Sequence, residues 1–412
     1  MSEHYDQLET RAPEERERAL LQRLPACLAH AAAKSTTWAA RLAGVDPQAV
    51  RDRQALAALP VLRKADLLAL QQANPPFGGC ATAGWGFDCP RVFQSPGPLH
   101  EPEGPRRDYW RTARALHAAG LRSGMLVHNS FSYHFTPAGS MLESGAHALG
   151  CSVFPAGVGQ TELQLQAIAS LRPAAYVGTP SFLRILLEKA AETGSDCASL
   201  QRAVVSGEAF PPSARAWLAE RGIDAFQIYA SADLGLIAYE TPAREGWVLD
   251  EEVLVEIVRP GTDEALPEGE VGEVVVTSFN PDYPLIRYGT GDLSALLPGP
   301  SPCGRTNVRL RGWMGRADQA AKVRGMFVHP GQIADAMRRH PEVLHARLVV
   351  DNPEGRDCMV LHCEADERAD GLAAALAASL RDITKLRAEV RLVTPDSLPR
   401  DGKVIEDRRR YE

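Results

Sequence analysis

Along the 412-residue chain the apolar positions first recur at helical spacing. Leu20, Leu21, Leu24, Leu28 and Ala32 predict a helix within residues 10–45. Pro13, Glu14 and Glu15 suit its first turn, where proline forfeits no hydrogen bond and acids meet the positive end of the dipole. Residues 59–62 read as a turn and 63–71 as a short helix. Over 74–105 glycine and proline break every period, yet strand-like 91–93 marks this stretch as a loop inside a domain. From Tyr109 helix and strand alternate. The helices are predicted at 111–119, 137–149, 161–171, 181–193 and 212–221, and the strands at 125–129, 152–155, 175–177, 202–205 and 225–228. Such alternation predicts α/β layers around a largely parallel sheet.

The pattern changes over 247–296, where 253–258 and 270–277 alternate with period two, as in antiparallel strands. It resets after Gly315-Arg316: helix 330–339, strands 344–350, 359–364 and 389–393, and an amphipathic helix marked by Leu372, Leu376, Leu380 and Ile383. The expected fold is α/β, with a large N-terminal α/β domain carrying a β-subdomain (1–317) and a small α+β C-terminal domain (318–412).

Apolar content of 45% and charged content of 24% are those of a globular protein, and a net charge of −7 argues against nucleic acid or an anionic membrane as partner. The Arg408-Arg409-Arg410 run reads as a solvated tail. Eight scattered cysteines without a CxxC pair suit a reducing compartment. The charged N-terminus lacks a signal-peptide core and no apolar run is long enough to span a bilayer, so the expected location is cytoplasmic, with no membrane partner.

Ligands on parallel sheets gather at the carboxyl ends of the strands. Those ends carry His128-Asn129-Ser130, Gly178-Thr179-Pro180, Ser206-Gly207-Glu208 and Tyr229–Asp233. In the last of these a short strand runs into a small-residue turn with one carboxylate, Asp233, a way to offer backbone amides and an acid to a ligand.

With RYGTGD (Arg287–Asp292), GRADQAAKVRG (Gly315–Gly325) and PRDGK (Pro399–Lys403), these stretches in this order resemble the adenylate-forming superfamily, and more closely its phenylacetate–coenzyme A ligase-like branch. The resemblance spans nearly the whole chain. It implies a two-step reaction: a carboxylate attacks the α-phosphate of ATP to give an acyl-adenylate and pyrophosphate, then a thiol, usually that of coenzyme A, displaces AMP. It also implies a small C-terminal domain that swings between the half-reactions, and by analogy a homodimer. ATP/AMP, Mg2+ and coenzyme A are the cofactors it implies, with a small carboxylic acid as substrate.

Residue roles follow from the same resemblance. Asp292 would accept hydrogen bonds from the ribose hydroxyls, Ser206, Gly207 and Glu208 would form the adenine turn, and Tyr229 would stack near the base, followed by Ala230 and Ser231. Arg316 joins the nucleotide site, Asp233 would hold magnesium, and Lys403 would neutralise the approaching carboxylate and α-phosphate. Asp318 takes the hinge position. Phe131, Tyr133 and Phe135, the dense aromatic group past strand 125–129, are candidates for an aryl-acid pocket or for ordinary core.

The chain departs from the pattern in its phosphate loop, Gln94-Ser95-Pro96-Gly97-Pro98-Leu99-His100-Glu101. Two prolines remove N–H donors, no lysine is present, a glutamate has been added, and Ser95 is the one hydroxyl left, with Arg106 or Arg107 as substitute cations. Some relatives hold a structural zinc. The matching positions here are Thr241, Val248, Ser301 and Cys303, and one thiol predicts no structural zinc. Three readings stand open: an acid–coenzyme A ligase, a nucleotide-binding homologue that has lost or altered adenylation, and an adenylating enzyme with a different acceptor.

Overall fold

The computed structural model describes residues 3–95, 98–208, 210–323, 326–351, 358–365 and 371–409. Pro96 and Gly97 of the phosphate loop, Arg324 and Gly325 of the GRADQAAKVRG stretch, and Arg410 lie outside the described residues. Among the described residues, nine strands form the main sheet, in the order Leu296–Leu297, Arg309–Leu310, Trp247–Leu249, Gly235–Tyr239, Asp224–Ser231, Arg202–Val205, Ala175–Gly178, Leu126–Asn129, Ser152–Pro155. The last five are parallel, each joined to the next by a helix, and the first four add antiparallel edges. The parallel strands are apolar on both faces because helices cover both, as in Ala175–Gly178, which is buried throughout.

The β-subdomain is a second sheet, ordered Leu62–Arg63, Tyr288–Ser294, Gly272–Ser278, Val253–Val258. Here the expected turn at 59–62 ends in a short strand parallel to Tyr288–Ser294, with Leu62 opposite Tyr288. Residues 321–405 make a separate unit. Two helices, Pro330–Arg338 and Leu372–Thr384, pack on a sheet ordered Glu389–Val393, Cys358–Glu364, His345–Asp351, Ile405–Asp407. Its core of Val328, Ile333, Leu348, Leu361, Leu376 and Leu380 is drawn wholly from this part of the chain.

Two differences from the expected elements have local causes. The helix expected from 111 runs only over Ala113–Ala118. Arg111 is held at φ 64° by its guanidinium, which bonds Asp250 at 2.7 Å and the carbonyls of Leu234 and Leu236, while the Asp108 carboxylate caps the amides of Thr112 and Ala113. The loop 74–105 contains a hairpin, Arg91–Ser95 against Leu99–Glu103. Pro98 and Pro102 hide its second strand in the sequence, because proline is tolerated where a strand has an unpaired edge.

Arg287, in the RYGTGD stretch, is wholly buried. Its Nε donates to Glu256 at 3.0 Å, Nη1 to the carbonyls of Ala57 (2.8 Å) and Leu59, and Nη2 to the carbonyl of Asp263 (3.1 Å). Removing it leaves a buried carboxylate and three carbonyls without partners. Arg287→Ala is expected to lower stability by about 3–5 kcal/mol, read as a shifted denaturant midpoint with an unchanged slope.

Candidate active site

The strand Asp224–Ser231 and its antiparallel neighbour Gly235–Tyr239 form a hairpin with a register shift at Tyr229/Ala230. The strand runs past the expected end at 228, so Tyr229, Ala230 and Ser231 belong to it, and the turn is 232–234. Ser231 Oγ accepts from the Leu234 amide at 3.2 Å and closes that turn. Gly235 sits at φ 75°, and a Cβ there would lie 2.8 Å from the Trp110 carbonyl, so only glycine lets the turn pack this closely.

The hairpin faces strand Tyr288–Ser294. The Tyr229 hydroxyl donates to Asp292 Oδ2 at 2.9 Å, and the Tyr229 ring lies 5.6 Å from that of Trp247. Burial, then the Asp292 charge, holds the Tyr229 phenol well above its ordinary value, so it stays a donor. Asp292 Oδ1 accepts from Arg316 Nη1 at 3.2 Å and Trp313 Nε1 at 3.1 Å. Arg316 also reaches Asp318 at 3.4 Å. The structure thus joins Tyr229, Asp292, Arg316 and Asp318 in one chain of polar contacts. Gly291, at φ 74°, makes this possible, since a Cβ there would stand 2.6 Å from Arg316 Nη2.

Asp233 is buried at 6% exposure, and its Oδ1 has no partner. Lys64 Nζ, at the start of helix Lys64–Ala73, lies 3.8 Å from Oδ2. Burial raises the Asp233 carboxyl, and the Lys64 charge opposes that rise. The buried Tyr288 hydroxyl faces Asp233 without a hydrogen bond of good geometry, and burial, then the Asp233 charge, holds the phenol well above its ordinary value. Glu101 belongs to the same acidic neighbourhood: burial, then the Asp233 charge, pushes its carboxyl up to about 8. It accepts from Ser95 Oγ at 2.5 Å and from the Ser95 amide at 3.2 Å. The one hydroxyl of this loop is therefore turned onto Glu101.

Neither substitute cation named from the sequence reaches this place. Arg106 is spent on Asn280 and on Asp282 at 3.2 Å, and Arg107 on the carbonyls of His147 and Ala148. Lys64 is the cation beside Asp233. The sequence carried no local sign of its role, because Lys64 reads as an ordinary exposed residue opening an amphipathic helix. The absence of a loop lysine was the one signal that a cation had to come from elsewhere. Trp313 was missed in the same way, and for Glu101, noted as an added glutamate, the bond to Ser95 was made only by folding.

The remaining expected residues fall into other settings. Ser206 Oγ donates to the Ile228 carbonyl at 2.9 Å, and Gly207 sits at φ 81°, where a Cβ would touch only the Thr179 methyl at 3.9 Å. Glu208 accepts from Ser181 Oγ at 2.9 Å, and its carbonyl from Gln227 at 3.2 Å, at the edge of a cleft of about 210 Å³ lined by Pro180, Arg184, Phe210 and Trp217. Phe131, Tyr133 and Phe135 do not share one setting: Phe131 is in the core, the Tyr133 hydroxyl donates to Glu143 at 2.6 Å, and Phe135 is 75% exposed. Lys403 is exposed, and its ammonium makes no ion pair with Asp233 or Asp292 among the described residues. Its loop is tied to the segment after Asp318, with Gln319 bonding the Gly402 carbonyl and the Val404 amide.

At the zinc-matching positions, Ser301 Oγ lies 3.1 Å from Cys303 Sγ. Burial would raise this thiol, but hydrogen bonds from Ser301, Thr241 and Arg305 outweigh it and lower its pKa. No group of three His, Cys, Asp or Glu side chains able to hold a metal occurs among the described residues. Likewise, no described helix is long and apolar enough to cross a membrane.

A parallel sheet with Asp292 fixed near the carboxyl ends of its strands, and a small α+β unit beside it, defines an adenylate-forming enzyme. Residues 111–280 match the AMP-binding enzyme family. The chain is 32% identical to phenylacetate-coenzyme A ligase of Thermus thermophilus over 87% of each chain. It is 30% identical to that of Aromatoleum evansii over 90% of this chain and 88% of the other. It superposes on an open conformation of 2-hydroxyisobutyryl-CoA ligase, in complex with 2-HIB-AMP and CoA, with a TM-score of 0.87 and 25% identity, covering 98% and 95% of the two chains. The postadenylation and thioesterification states of that ligase match less well, at 0.79 and 0.73. The chain belongs to the adenylate-forming, acyl-CoA synthetase superfamily.

Glu101 gives a pH test. Its carboxyl is raised from 4.5 to about 8, so the folded state binds the extra proton between these values. That contribution to stability is complete below about pH 4.5 and is lost as pH rises through about 8. Glu101→Gln is therefore expected to gain stability relative to the native chain as pH is raised across this window. Denaturation at pH 5 and pH 8.5 measures the difference.

Proposed function

We propose that this chain activates an aryl carboxylic acid with ATP and passes the acyl group to coenzyme A, as a phenylacetate-coenzyme A ligase-like enzyme. The observation that carries this reading is Asp292, a carboxylate fixed by three donors at the motif where the superfamily binds ribose. The acid's carboxylate oxygen attacks the α-phosphorus, and the bond to the β-phosphate oxygen breaks to release pyrophosphate. The thiolate of coenzyme A then attacks the acyl carbonyl and AMP leaves with the electron pair.

In this reading Ser206, Gly207, Glu208 and Tyr229 to Ser231 line the base, and Arg316 and Asp292 take the ribose. The unpartnered Asp233 Oδ1 suits a hard cation, so Asp233 would hold magnesium, which neutralises phosphate charge when bound. Lys64 supplies the charge that the loop lacks. Residues 1–317 form the nucleotide and acid domain, and 318–412 a cap hinged at Asp318 that brings Lys403 to the α-phosphate. The self-contained core of 321–405 and the better match to an open relative support such a cap. Phe131, with Tyr133 nearby in sequence, is offered for the acid pocket.

A second reading, a homologue with lost or altered adenylation, is favoured by the Ser95–Glu101 bond, which leaves the loop without a free hydroxyl. Pyrophosphate release with a panel of aryl acids separates the two, and acceptor dependence of AMP release tests for coenzyme A against an amine or carrier thiol. Lys403→Ala is expected to slow adenylation about 10²- to 10³-fold. Lys64→Ala is expected to raise the KM for ATP and leave AMP affinity unchanged. An unaltered adenylation rate in Lys403→Ala overturns its assignment, and an equal loss of ATP and AMP binding in Lys64→Ala overturns that of Lys64.

A further inference from the structure

Asp292 is more fully occupied than a ribose acceptor should be. A carboxylate offers about four acceptor positions. Tyr229 takes one on Oδ2, and Trp313 Nε1 and Arg316 Nη1 take both on Oδ1. One position is left, whereas a ribose 2′,3′-diol needs two, so one of the three donors has to yield.

The surroundings say which. Tyr229 is packed against Trp247, with the Thr290 hydroxyl also beside its own, so its ring and hydroxyl are held where they stand. Arg316 is charged, is held also by Asp318 and the Thr290 carbonyl, and its backbone bridges to that of Asp292. Trp313 donates through a neutral N–H and is 49% exposed, so water can take its hydrogen bond as it leaves. Its backbone stays in place, because Met314 donates to the Leu293 carbonyl, Leu293 to that of Gly315, and Ser294 Oγ to that of Gly312. The indole alone is free to rotate.

We propose that Trp313 is a positioning residue for nucleotide recognition, a latch whose indole N–H holds the second acceptor position of Asp292 and surrenders it to a ribose hydroxyl. The proposal rests on nucleotide binding at Asp292 as read above. The latch keeps the carboxylate oriented while the site is empty, and a nucleotide without the diol cannot open it.

The test uses the full chain with AMP and 2′,3′-dideoxy-AMP, followed by calorimetry and tryptophan emission. AMP is expected to shift the emission to longer wavelength, and Trp313→Phe to abolish that shift. Trp313→Phe is also expected to bind AMP about 2- to 10-fold more tightly, since a competing neutral hydrogen bond is gone. The dideoxy analogue is expected to give no shift and to bind both proteins equally. Equal or weaker AMP binding by Trp313→Phe, or the same shift with the dideoxy analogue, overturns the latch alone. No binding of AMP by the native chain overturns the nucleotide reading and the latch with it.

Discussion

The buried guanidinium of Arg287 is the interaction on which the site depends. A charge removed from water is tolerated only when every donor is met and a counter-charge is close. Glu256 supplies the counter-charge, and carbonyls from 57, 59 and 263 take most of the remaining donors. Those partners come from three separate segments, so the side chain fixes the start of strand Tyr288–Ser294 against the N-terminal region and the β-subdomain together. Arg287 itself sits at φ 46°, an unfavourable conformation for a side-chain residue that these bonds hold in place. Tyr288 and Asp292 then emerge from a strand whose position is set by its first neighbour, one facing the Asp233 carboxylate and the other the ribose position.

Around Asp233 the fold solves a charge problem in an unusual way. Two carboxyls lie in one buried neighbourhood, and both cannot be ionised cheaply. Glu101 takes the proton and Asp233 keeps Lys64. A protonated Glu101 does not repel phosphate as the bare sequence suggests. It ties the hairpin to itself through Ser95. The cost is that Ser95 is engaged, and the cation beside Asp233 comes from the helix that begins at Lys64.

The parallel half of the fold was legible because alternation of periods is a property of local sequence: 152–155, 161–171 and 202–205 match Ser152–Pro155, Thr161–Leu171 and Arg202–Val205. The second strand of the 91–103 hairpin was not, because Pro98 and Pro102 look like breakers in the sequence. Nor were the antiparallel edges at Trp247–Leu249 and Arg309–Leu310, which are too short to show a period. At the site, three residues named from motifs, Tyr229, Asp292 and Arg316, do come into contact with one another. The approach of Lys64 to Asp233 and of Trp313 to Asp292 was not legible, and Glu101, named as an added glutamate, gave no sign of its bond to Ser95, since no spacing along the chain encodes a contact made across it.

Arg316 links two parts of the molecule that chemistry requires to be coordinated. Its guanidinium spans Asp292 and Asp318, a ribose carboxylate on one side and the proposed hinge on the other. In the proposed cycle the two half-reactions would need two positions of the small unit, because one volume cannot hold both a lysine on the α-phosphate and an incoming thiol. Rotation of the backbone at 318 changes what Asp318 can offer Arg316, and ribose binding changes what Asp292 can offer it. On the proposed reading, one planar donor set divided between two carboxylates would make occupancy of the site and orientation of the small unit depend on each other, with no longer chain of contacts needed.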